Sequence, residues 1–151
     1  MDSQNNPRII RFSSAHIPQV AQIERDTFSE PWSESSLSLL CTEEYPSFVL
    51  TDEDDRVLGY LSSAKALDEL QIINLAIRED SRGRGFAKAL LSALDGFCRE
   101  MGMIEVSLEV RESNAAAISL YEKCGYEKVG IRRGFYRLPP ENAVIMIKKY
   151  N

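Results

Sequence analysis

The chain has 151 residues, of which 44% are hydrophobic and 27% charged, a composition typical of one soluble globular domain that folds without disulfide or metal staples. Its net charge of -5 argues against broad nucleic-acid binding, and no apolar run is long enough for a signal peptide or a membrane span. The three widely spaced cysteines form no CxxC pair, so the sequence predicts a reducing, cytoplasmic location and neither a disulfide framework nor a metal site.

The N-terminal part of the chain predicts a strand and two helices. Residues 8–12 are expected to form a short strand, and the apolar spacing that follows is typical of a helix capped by Ser13 or Ser14. Pro31 ends this pattern, and Ser33 then offers the cap of a second helix. The predicted apolar face of that helix comprises Leu37, Leu40 and Cys41.

The middle of the chain predicts a hairpin, a central strand, a long helix and a further strand. Segments 47–51 and 56–65 flank the polar turn DEDD, which favours a hairpin. Residues 70–77, LQIINLAI, are apolar enough for a buried central strand, and a helix over 86–101 that a glycine ends should follow. Residues 103–110 alternate between apolar and polar side chains, as a strand does. The apolar positions of this alternation are Ile104, Val106, Leu108 and Val110.

The C-terminal part predicts one short helix and two last strands. Ser113 or Asn114 is expected to cap the helix, and Gly125 to end it. Segments 126–132 and 143–148 read as strands on either side of a loop, RLPPEN. The complete order, βααβββαβαββ, predicts an α/β fold in which a mixed sheet lies between helices.

Arg82-Gly83-Arg84-Gly85 joins the predicted central strand to the long helix. A strand that turns into a helix through glycines directs several backbone N–H groups at one place, and the helix dipole adds positive charge there. Glycine also leaves room for a phosphate to approach the backbone. Because the stretch has neither the lysine-serine ending of a Walker loop nor a GxGxxG pattern, an anion site of another kind and a solvated, flexible turn both remain open on these residues alone.

The same stretch, RGRGFA, resembles the Gln/Arg-x-x-Gly-x-Gly/Ala signature of the GNAT acetyltransferases. The downstream run SLEVRESNAAAISLYEKCGY is similar to the RimI-type branch of that superfamily, as are IINLAI, EPWSE, GIRRGFY and AVIM. The resemblance covers nearly the whole chain. It implies the GNAT fold, with a mixed and mostly antiparallel central sheet flanked by helices, in one domain over residues 1–151.

The resemblance also implies an activity. Enzymes of this branch move acetyl from acetyl-CoA, the co-substrate, to the N-terminal α-amine of a ribosomal protein, so we expect a bS18-like protein that starts with alanine as the substrate partner. Attack is expected to be direct, in a ternary complex, with no metal and with neither nucleic acid nor membrane as a partner. Two alternatives are another peptide or small amine on the same scaffold, and a non-catalytic subunit that binds acyl-CoA.

The resemblance assigns the cofactor-binding segments. The glycine-rich loop and the start of the helix are implied to bind the pyrophosphate, and they comprise Arg82, Gly83, Arg84, Gly85, Phe86, Ala87 and Lys88. The backbone of Leu75, Ala76 and Ile77 is implied to hold the pantetheine arm as an added strand would be held. Asn114 is implied to hydrogen-bond the cofactor, while helix capping is an alternative role that can coexist with it.

Acetyl transfer to an amine requires a base for the ammonium and an acid for the departing thiolate. Glu109, in LEVR, matches the catalytic glutamate of the branch, and Tyr121, in LYE, matches its proton donor. On the residues alone, Glu109 reads as a solvated strand residue and Tyr121 as a ring in the core. Proton transfer to Glu109 directly or through water remains open.

The candidates for substrate recognition and the single histidine are less informative. Trp32, Tyr136 and the segment LPPEN are candidates for the lining of a peptide-entry groove, with a hydrophobic anchor and a loop kink as the alternatives. His16 is the only histidine of the sequence and is expected to be a surface or capping residue.

Overall fold

Residues 7–150, the part of the chain that the computed structural model describes, form seven strands and four helices. Short 3-10 turns precede the first helix and follow the second, and another follows the fourth strand. The order of elements is the predicted βααβββαβαββ. The elements are β1 (Arg8–Arg11), α1 (Ile17–Thr27), α2 (Glu34–Leu37), β2 (Phe48–Thr51), β3 (Val57–Ala66), β4 (Glu69–Ile77), α3 (Phe86–Met101), β5 (Glu105–Arg111), α4 (Ala115–Lys123), β6 (Glu127–Arg137) and β7 (Pro140–Lys149).

All seven strands belong to one sheet, in the order β1-β2-β3-β4-β5-β7-β6. Neighbouring strands are antiparallel, except that β4 and β5 run parallel. A parallel pair needs a crossover, and α3 is the helix that makes it. The expectation of a mixed, mostly antiparallel sheet is therefore confirmed.

Helices cover both faces of this sheet and create two hydrophobic cores. On the first face, which we call the α3/α4 face, Leu94 and Tyr121 pack with Val106 and Leu108 of the sheet. The second face, the α1/α2 face, is covered by residues of α1 and of the segment that follows it. This second core contains Val20, Ile23, Leu37 and Leu40 from the helical side and Val49, Val57, Tyr60 and Ala76 from the sheet.

Most helix ends lie where the capping residues predict. Ser33 accepts a hydrogen bond from the N–H of Ser36 (3.1 Å) at the start of α2. Gly102 ends α3 in a left-handed conformation, with φ of +73°. His16 has the expected capping role, because its Nδ1 accepts a hydrogen bond from the N–H of Ser13 (3.0 Å). Among the described residues, no helix is long and apolar enough to cross a membrane.

Three predictions from the sequence were wrong. Cys41 is exposed, because α2 gives way to a 3-10 turn after Leu37 and the helical spacing is lost. Ile104 is also exposed and lies just before β5, where its N–H and carbonyl bond to Asp68 and Tyr150. RLPPEN is not an open loop, because β6 and β7 extend into it and pair almost to the turn.

Candidate active site

The parallel strands β4 and β5 separate part of the way along the sheet. Their pairing covers three positions, Glu69–Gln71 on β4 opposite Glu105–Ser107 on β5. Beyond these positions β4 continues to Ile77 alongside β3, and β5 continues to Arg111 alongside β7. The space between residues 72–77 and residues 108–111, which we call the seam, is bordered on both sides by strand edges. Such edges present backbone N–H and C=O groups to a ligand.

Leu75, Ala76 and Ile77 form the β4 border of the seam. On their other side they pair with Leu61, Tyr60 and Gly59 of β3. Their side chains are used in packing, because Leu75 and Ile77 contact the core of the α3/α4 face while Ala76 is buried on the α1/α2 face. This segment therefore offers backbone groups to the seam, as the pantetheine assignment requires.

The glycine-rich loop lies at the end of β4, before α3. Gly83 and Gly85 have φ of +78° and +80°, which L side chains rarely adopt. A Cβ at either glycine would meet no atom within 4 Å, so open space adjoins the backbone there. The first backbone bond of α3 runs from the N–H of Ala89 to the carbonyl of Gly85 (3.0 Å), and the N–H groups of Phe86, Ala87 and Lys88 precede it at the helix end. The loop thus has the form of a backbone anion site.

Positive side chains surround this loop. Arg82 donates from Nε to the carbonyl of Ile77 (3.1 Å), which ties the loop to the end of β4. The Arg84 guanidinium lies over the ring of Phe86 (4.7 Å to its centre), and Lys88 is exposed on the first turn of α3. These contacts orient two of the three cations beside the helix end.

Asp80 lies just before the loop, and arginines hold its carboxylate. Arg78 and Arg56 donate to its carboxylate at 3.2 and 2.8 Å. Hydrogen bonds from Arg78 and then Arg56 lower the pKa of Asp80. Its charge is therefore balanced, and the loop retains a positive environment for an anion.

Glu109 lies on the α1/α2 face, two residues beyond the last β5 position that pairs with β4. It alternates with Leu108 and Val110, which are buried on the α3/α4 face. The side chain is only 11% exposed, and its Oε2 pairs with Nη1 of Arg132 at 2.9 Å. Its Oε1 accepts a hydrogen bond from Nε2 of Gln71 (3.1 Å). Glu109 is thus a held carboxylate at the start of the seam, rather than a solvated strand residue.

Tyr121 lies on α4, on the other face of the sheet. Its side chain is 8% exposed and its ring packs edge-on against Tyr126, with ring centres 5.7 Å apart. Burial is the largest cause that raises the pKa of Tyr121, so the phenol stays protonated at neutral pH. Within residues 7–150 its hydroxyl makes no hydrogen bond, yet it is not one of the fully buried polar atoms. The core role expected from its residue type is confirmed, and the hydroxyl remains available as a donor.

Asn114 is the N-cap of α4. Its side chain accepts a hydrogen bond from the N–H of Ala117 at 3.1 Å. The capping role is therefore confirmed, while contact with a cofactor stays a prediction. The residue lies in the short connection that leads from the end of β5 to α4.

The predicted residues lie on different sides of the opened sheet. Glu109 faces the α1/α2 side, Tyr121 lies under the α3/α4 side, and the glycine-rich loop follows the end of β4. The two candidate catalytic groups are therefore not neighbours. A reacting group lying in the seam would be approached by the carboxylate from one face and by the phenol from the other.

Two chain segments meet over Glu109 on the α1/α2 face. Tyr136 of β6 donates its hydroxyl to the carbonyl of Glu109 (3.2 Å), and the Arg111 guanidinium lies over its ring at 4.2 Å. Arg111 also donates to the carbonyl of Leu138 (2.9 Å), which accepts a second hydrogen bond from the hydroxyl of Ser29. The connection after α1 thus touches the β6–β7 turn beside Glu109, while a peptide groove lined by Tyr136 and the LPPEN segment stays a prediction.

The two partners of the Glu109 carboxylate, Gln71 and Arg132, were not predicted from the sequence. Gln71 is a polar residue within the apolar run LQIINLAI, which was a signal that it points away from the core. Arg132 gave no such signal, because its position depends on the register of the β6–β7 hairpin. Among residues 7–150, no group of three His, Cys, Asp or Glu side chains is arranged to hold a metal ion.

Comparison with known proteins identifies the family. Residues 17–126 match the model of the acetyltransferase (GNAT) family. The chain is 37% identical, over 136 residues, to the [ribosomal protein bS18]-alanine N-acetyltransferase of Salmonella typhimurium, covering 89% of this chain and 91% of that protein.

Solved structures agree with the match. The crystal structure of the ribosomal-protein-S18-alanine N-acetyltransferase from Escherichia coli superposes with a TM-score of 0.87 and 32% identity, over 95% of this chain and 93% of the other. NAA60 of Arabidopsis thaliana, solved in complex with acetyl-CoA, shares the fold with a TM-score of 0.87 at 18% identity, over 97% and 99% of the two chains. The RimI-type resemblance is thereby confirmed, and the chain belongs to the GNAT family of acetyltransferases.

Proposed function

We propose that the chain is a single acetyltransferase domain that moves acetyl from acetyl-CoA to the N-terminal α-amine of ribosomal protein bS18, with alanine as the first residue, in the cytoplasm. The observation that carries the proposal is the seam, with an anion loop at one end, a carboxylate on one face and a protonated phenol on the other. The names of the bacterial relatives support the choice of substrate.

Acetyl-CoA fits the loop and the seam by chemistry and by space. The amides at the start of α3, beside Gly83 and Gly85, would bind the pyrophosphate, and Arg82, Arg84 and Lys88 would balance its charge. The edge of β4 at Leu75–Ile77 would bond the amides of the pantetheine arm as a neighbouring strand does. This placement directs the thioester along the seam toward Glu109.

The peptide would enter from the α1/α2 face, where Ser29, Leu138 and Tyr136 would line its path. Glu109 accepts a proton from the α-ammonium, and the neutral amine forms the C–N bond at the thioester carbon. The C–S bond then breaks, and the thiolate takes the proton of the Tyr121 hydroxyl. The attacking nitrogen gives up its second proton as the amide forms, and this proton restores the Tyr121 hydroxyl directly or through solvent. Because burial raises the pKa of Tyr121, this phenol arrives protonated and acts as the acid rather than the base.

The substrate assignment is tested with a peptide that copies the first residues of bS18. The protein and acetyl-CoA should release free thiol, and fragment mass spectrometry should locate one acetyl group on the α-amine. The matched control is the same peptide with a blocked α-amine and free lysines, which should not react. Preference for a small amine would contradict the substrate, and binding of acetyl-CoA without thiol release would indicate a non-catalytic subunit.

Gly85→Ala tests the anion loop, with Gly102→Ala as its matched control at the other end of α3. Both glycines have positive φ and neither Cβ meets an atom, so each variant should lose about 1–2 kcal/mol of stability from backbone strain. Only Gly85→Ala places a methyl group beside the proposed pyrophosphate, and its affinity for acetyl-CoA should fall about tenfold or more, that is, by at least ~1.4 kcal/mol. Titration calorimetry measures the affinity of each variant for acetyl-CoA. Equal affinities in the two variants would reject the loop assignment.

Glu109→Gln tests the base. Turnover should fall by about 10²–10⁴, the usual contribution of general acid–base catalysis, while the affinity for acetyl-CoA is unchanged. The loss should be greatest below the α-amine pKa of about 8, where the substrate is an ammonium. Glu105→Gln is the matched control, because Glu105 is on the same face of β5 but in the part of the strand that pairs with β4. This variant should keep full activity. A rate profile of Glu109→Gln that matches the unaltered protein at every pH would exclude the role.

Tyr121→Phe tests the acid against a neighbouring phenol. Turnover should fall by about 10²–10⁴ with the fold intact, because only the hydroxyl is removed. Tyr126→Phe is the matched control, since its ring packs on Tyr121 and burial likewise raises its pKa. Steady-state rates and circular dichroism distinguish the two, and similar rates in both variants would leave Tyr121 as packing alone.

A further inference from the structure

Glu24 of α1 is a buried carboxylate that the proposed chemistry does not use. Glu24 is only 1% exposed, and no cation within residues 7–150 forms an ion pair with it. Oε1 accepts the N–H of Trp32 (2.7 Å), and Oε2 accepts Nδ2 of Asn74 (2.8 Å) and the hydroxyl of Tyr60. Burial raises the pKa of Glu24, and the hydrogen bonds from Trp32 and Asn74 oppose that rise.

This carboxylate joins four parts of the α1/α2 face: α1 itself, the connection that contains Trp32, β3 through Tyr60, and β4 through Asn74. A buried charge is weak evidence for stability, since apolar residues of similar volume often stabilise a fold as well or better. What a carboxylate supplies that an apolar residue does not is direction. In its ionised form it only accepts hydrogen bonds, so every polar group around it must present a hydrogen to it.

The orientation of the Asn74 side chain follows from this rule. Its NH₂ group faces Glu24, so its carbonyl oxygen, Oδ1, is directed away from the carboxylate. The backbone of Asn74 is held as well, because its N–H donates to the hydroxyl of Ser62 (3.1 Å). Thr51 Oγ1 is the one fully buried side-chain polar atom among residues 7–150 without a partner. Asn74 Oδ1 also has no hydrogen bond within these residues. Because it is not one of these fully buried atoms without a partner, it is in contact with solvent.

Asn74 lies across the seam from Glu109. Gln71 pairs with Ser107 at the last joined position, and Glu109 is two residues further along β5. On β4 the register against β3 shifts between Ile72 and Asn74, which adds one residue to that strand. Asn74 is therefore the residue of β4 at the level of Glu109, and both side chains are on the α1/α2 face.

We propose that Asn74 Oδ1 binds an N–H of the substrate's α-amine opposite Glu109, and that Glu24 is a positioning residue that acts through Asn74. The inference rests on the proposed function. An α-ammonium carries N–H donors for both groups: Glu109 takes the proton that is lost, and an amide oxygen holds another hydrogen without titrating. Asn74 is thus a determinant of specificity for a free amine.

The test compares two ligands in the presence of CoA, by titration calorimetry. One is the alanine-starting peptide and the other is the same peptide with hydrogen in place of its α-amine. Asn74→Ala should weaken the amine peptide about tenfold, as the loss of a hydrogen bond to a charged group does, and leave the des-amino peptide unchanged. Damage to the groove would weaken both peptides alike, and that result would overturn the proposal.

Glu24→Gln tests the positioning role. In the unaltered protein, Trp32, Tyr60 and Asn74 donate to the two oxygens of Glu24, whereas a glutamine offers one oxygen and an NH₂ group. Asn74 therefore either loses its hydrogen-bond acceptor or rotates so that its NH₂ group faces the amine. The variant should reduce the preference for the amine peptide as Asn74→Ala does, and should add nothing in the Asn74→Ala background. Additive losses would exclude action through Asn74. Asn74→Ser is the second variant if Asn74→Ala does not fold, since a serine hydroxyl is too short to replace Oδ1.

Tyr60→Phe is the control for Glu24. It removes another donor from the same carboxylate and leaves the contact with Asn74, so the melting temperature should fall while the preference for the amine peptide persists. The outcomes also separate this inference from the function. If the unaltered protein acetylates the peptide and Asn74→Ala still prefers the amine peptide as strongly, the inference alone is overturned. No acetylation by the unaltered protein and no preference for the amine peptide would overturn both.

Discussion

The early end of pairing between β4 and β5 is the constraint on which the site depends. Each strand stays paired on its outer side, β4 with β3 as far as Ile77 and β5 with β7 as far as Arg111, so the sheet opens without losing its order. Gly59 of β3 contributes to this, because a Cβ there would lie 2.5 Å from Cδ1 of Ile77 and 3.0 Å from the carbonyl of Ala76. The end of β4 can therefore lie close to β3 and away from β5. A bulge at the level of Asn74 adds to the divergence.

The two faces of the opened sheet differ in polarity, and this difference separates the acid from the base. On the α1/α2 face, amides of β4 hold carboxylates, Gln71 with Glu109 and Asn74 with Glu24. On the α3/α4 face, Tyr121 is surrounded by apolar and aromatic side chains, and burial raises its pKa. Burial keeps the phenol in its neutral form, while hydrogen bonds hold the Glu109 carboxylate in place on the opposite face. The fold therefore places a protonated phenol and a hydrogen-bonded carboxylate on opposite sides of one gap.

Local signals in the sequence were sufficient for the order of elements. Apolar spacing located α1 and α3, and serine, asparagine and glycine marked the ends of α2, α4 and α3. The register of distant strands was beyond such signals. The contact of Gln71 with Glu109 joins residues 38 apart, and that of Asn74 with Glu24 joins residues 50 apart. The exposure of Ile104 is a smaller case, since alternation over residues 103–110 does not reveal that β5 begins only at Glu105.

The ion pair between Arg132 and Glu109 bears on how a cationic substrate reaches the carboxylate. Arg132 is 56% exposed, and an ion pair with so exposed a partner contributes only about 0–1 kcal/mol to stability. Its guanidinium contacts Oε2, while Gln71 holds Oε1. Under the proposed function, an arriving α-ammonium therefore displaces the Arg132 guanidinium from Oε2 at low cost, and one cation replaces another at that oxygen. The carboxylate is kept in place by Gln71 during this exchange, because that amide is uncharged and belongs to the neighbouring strand.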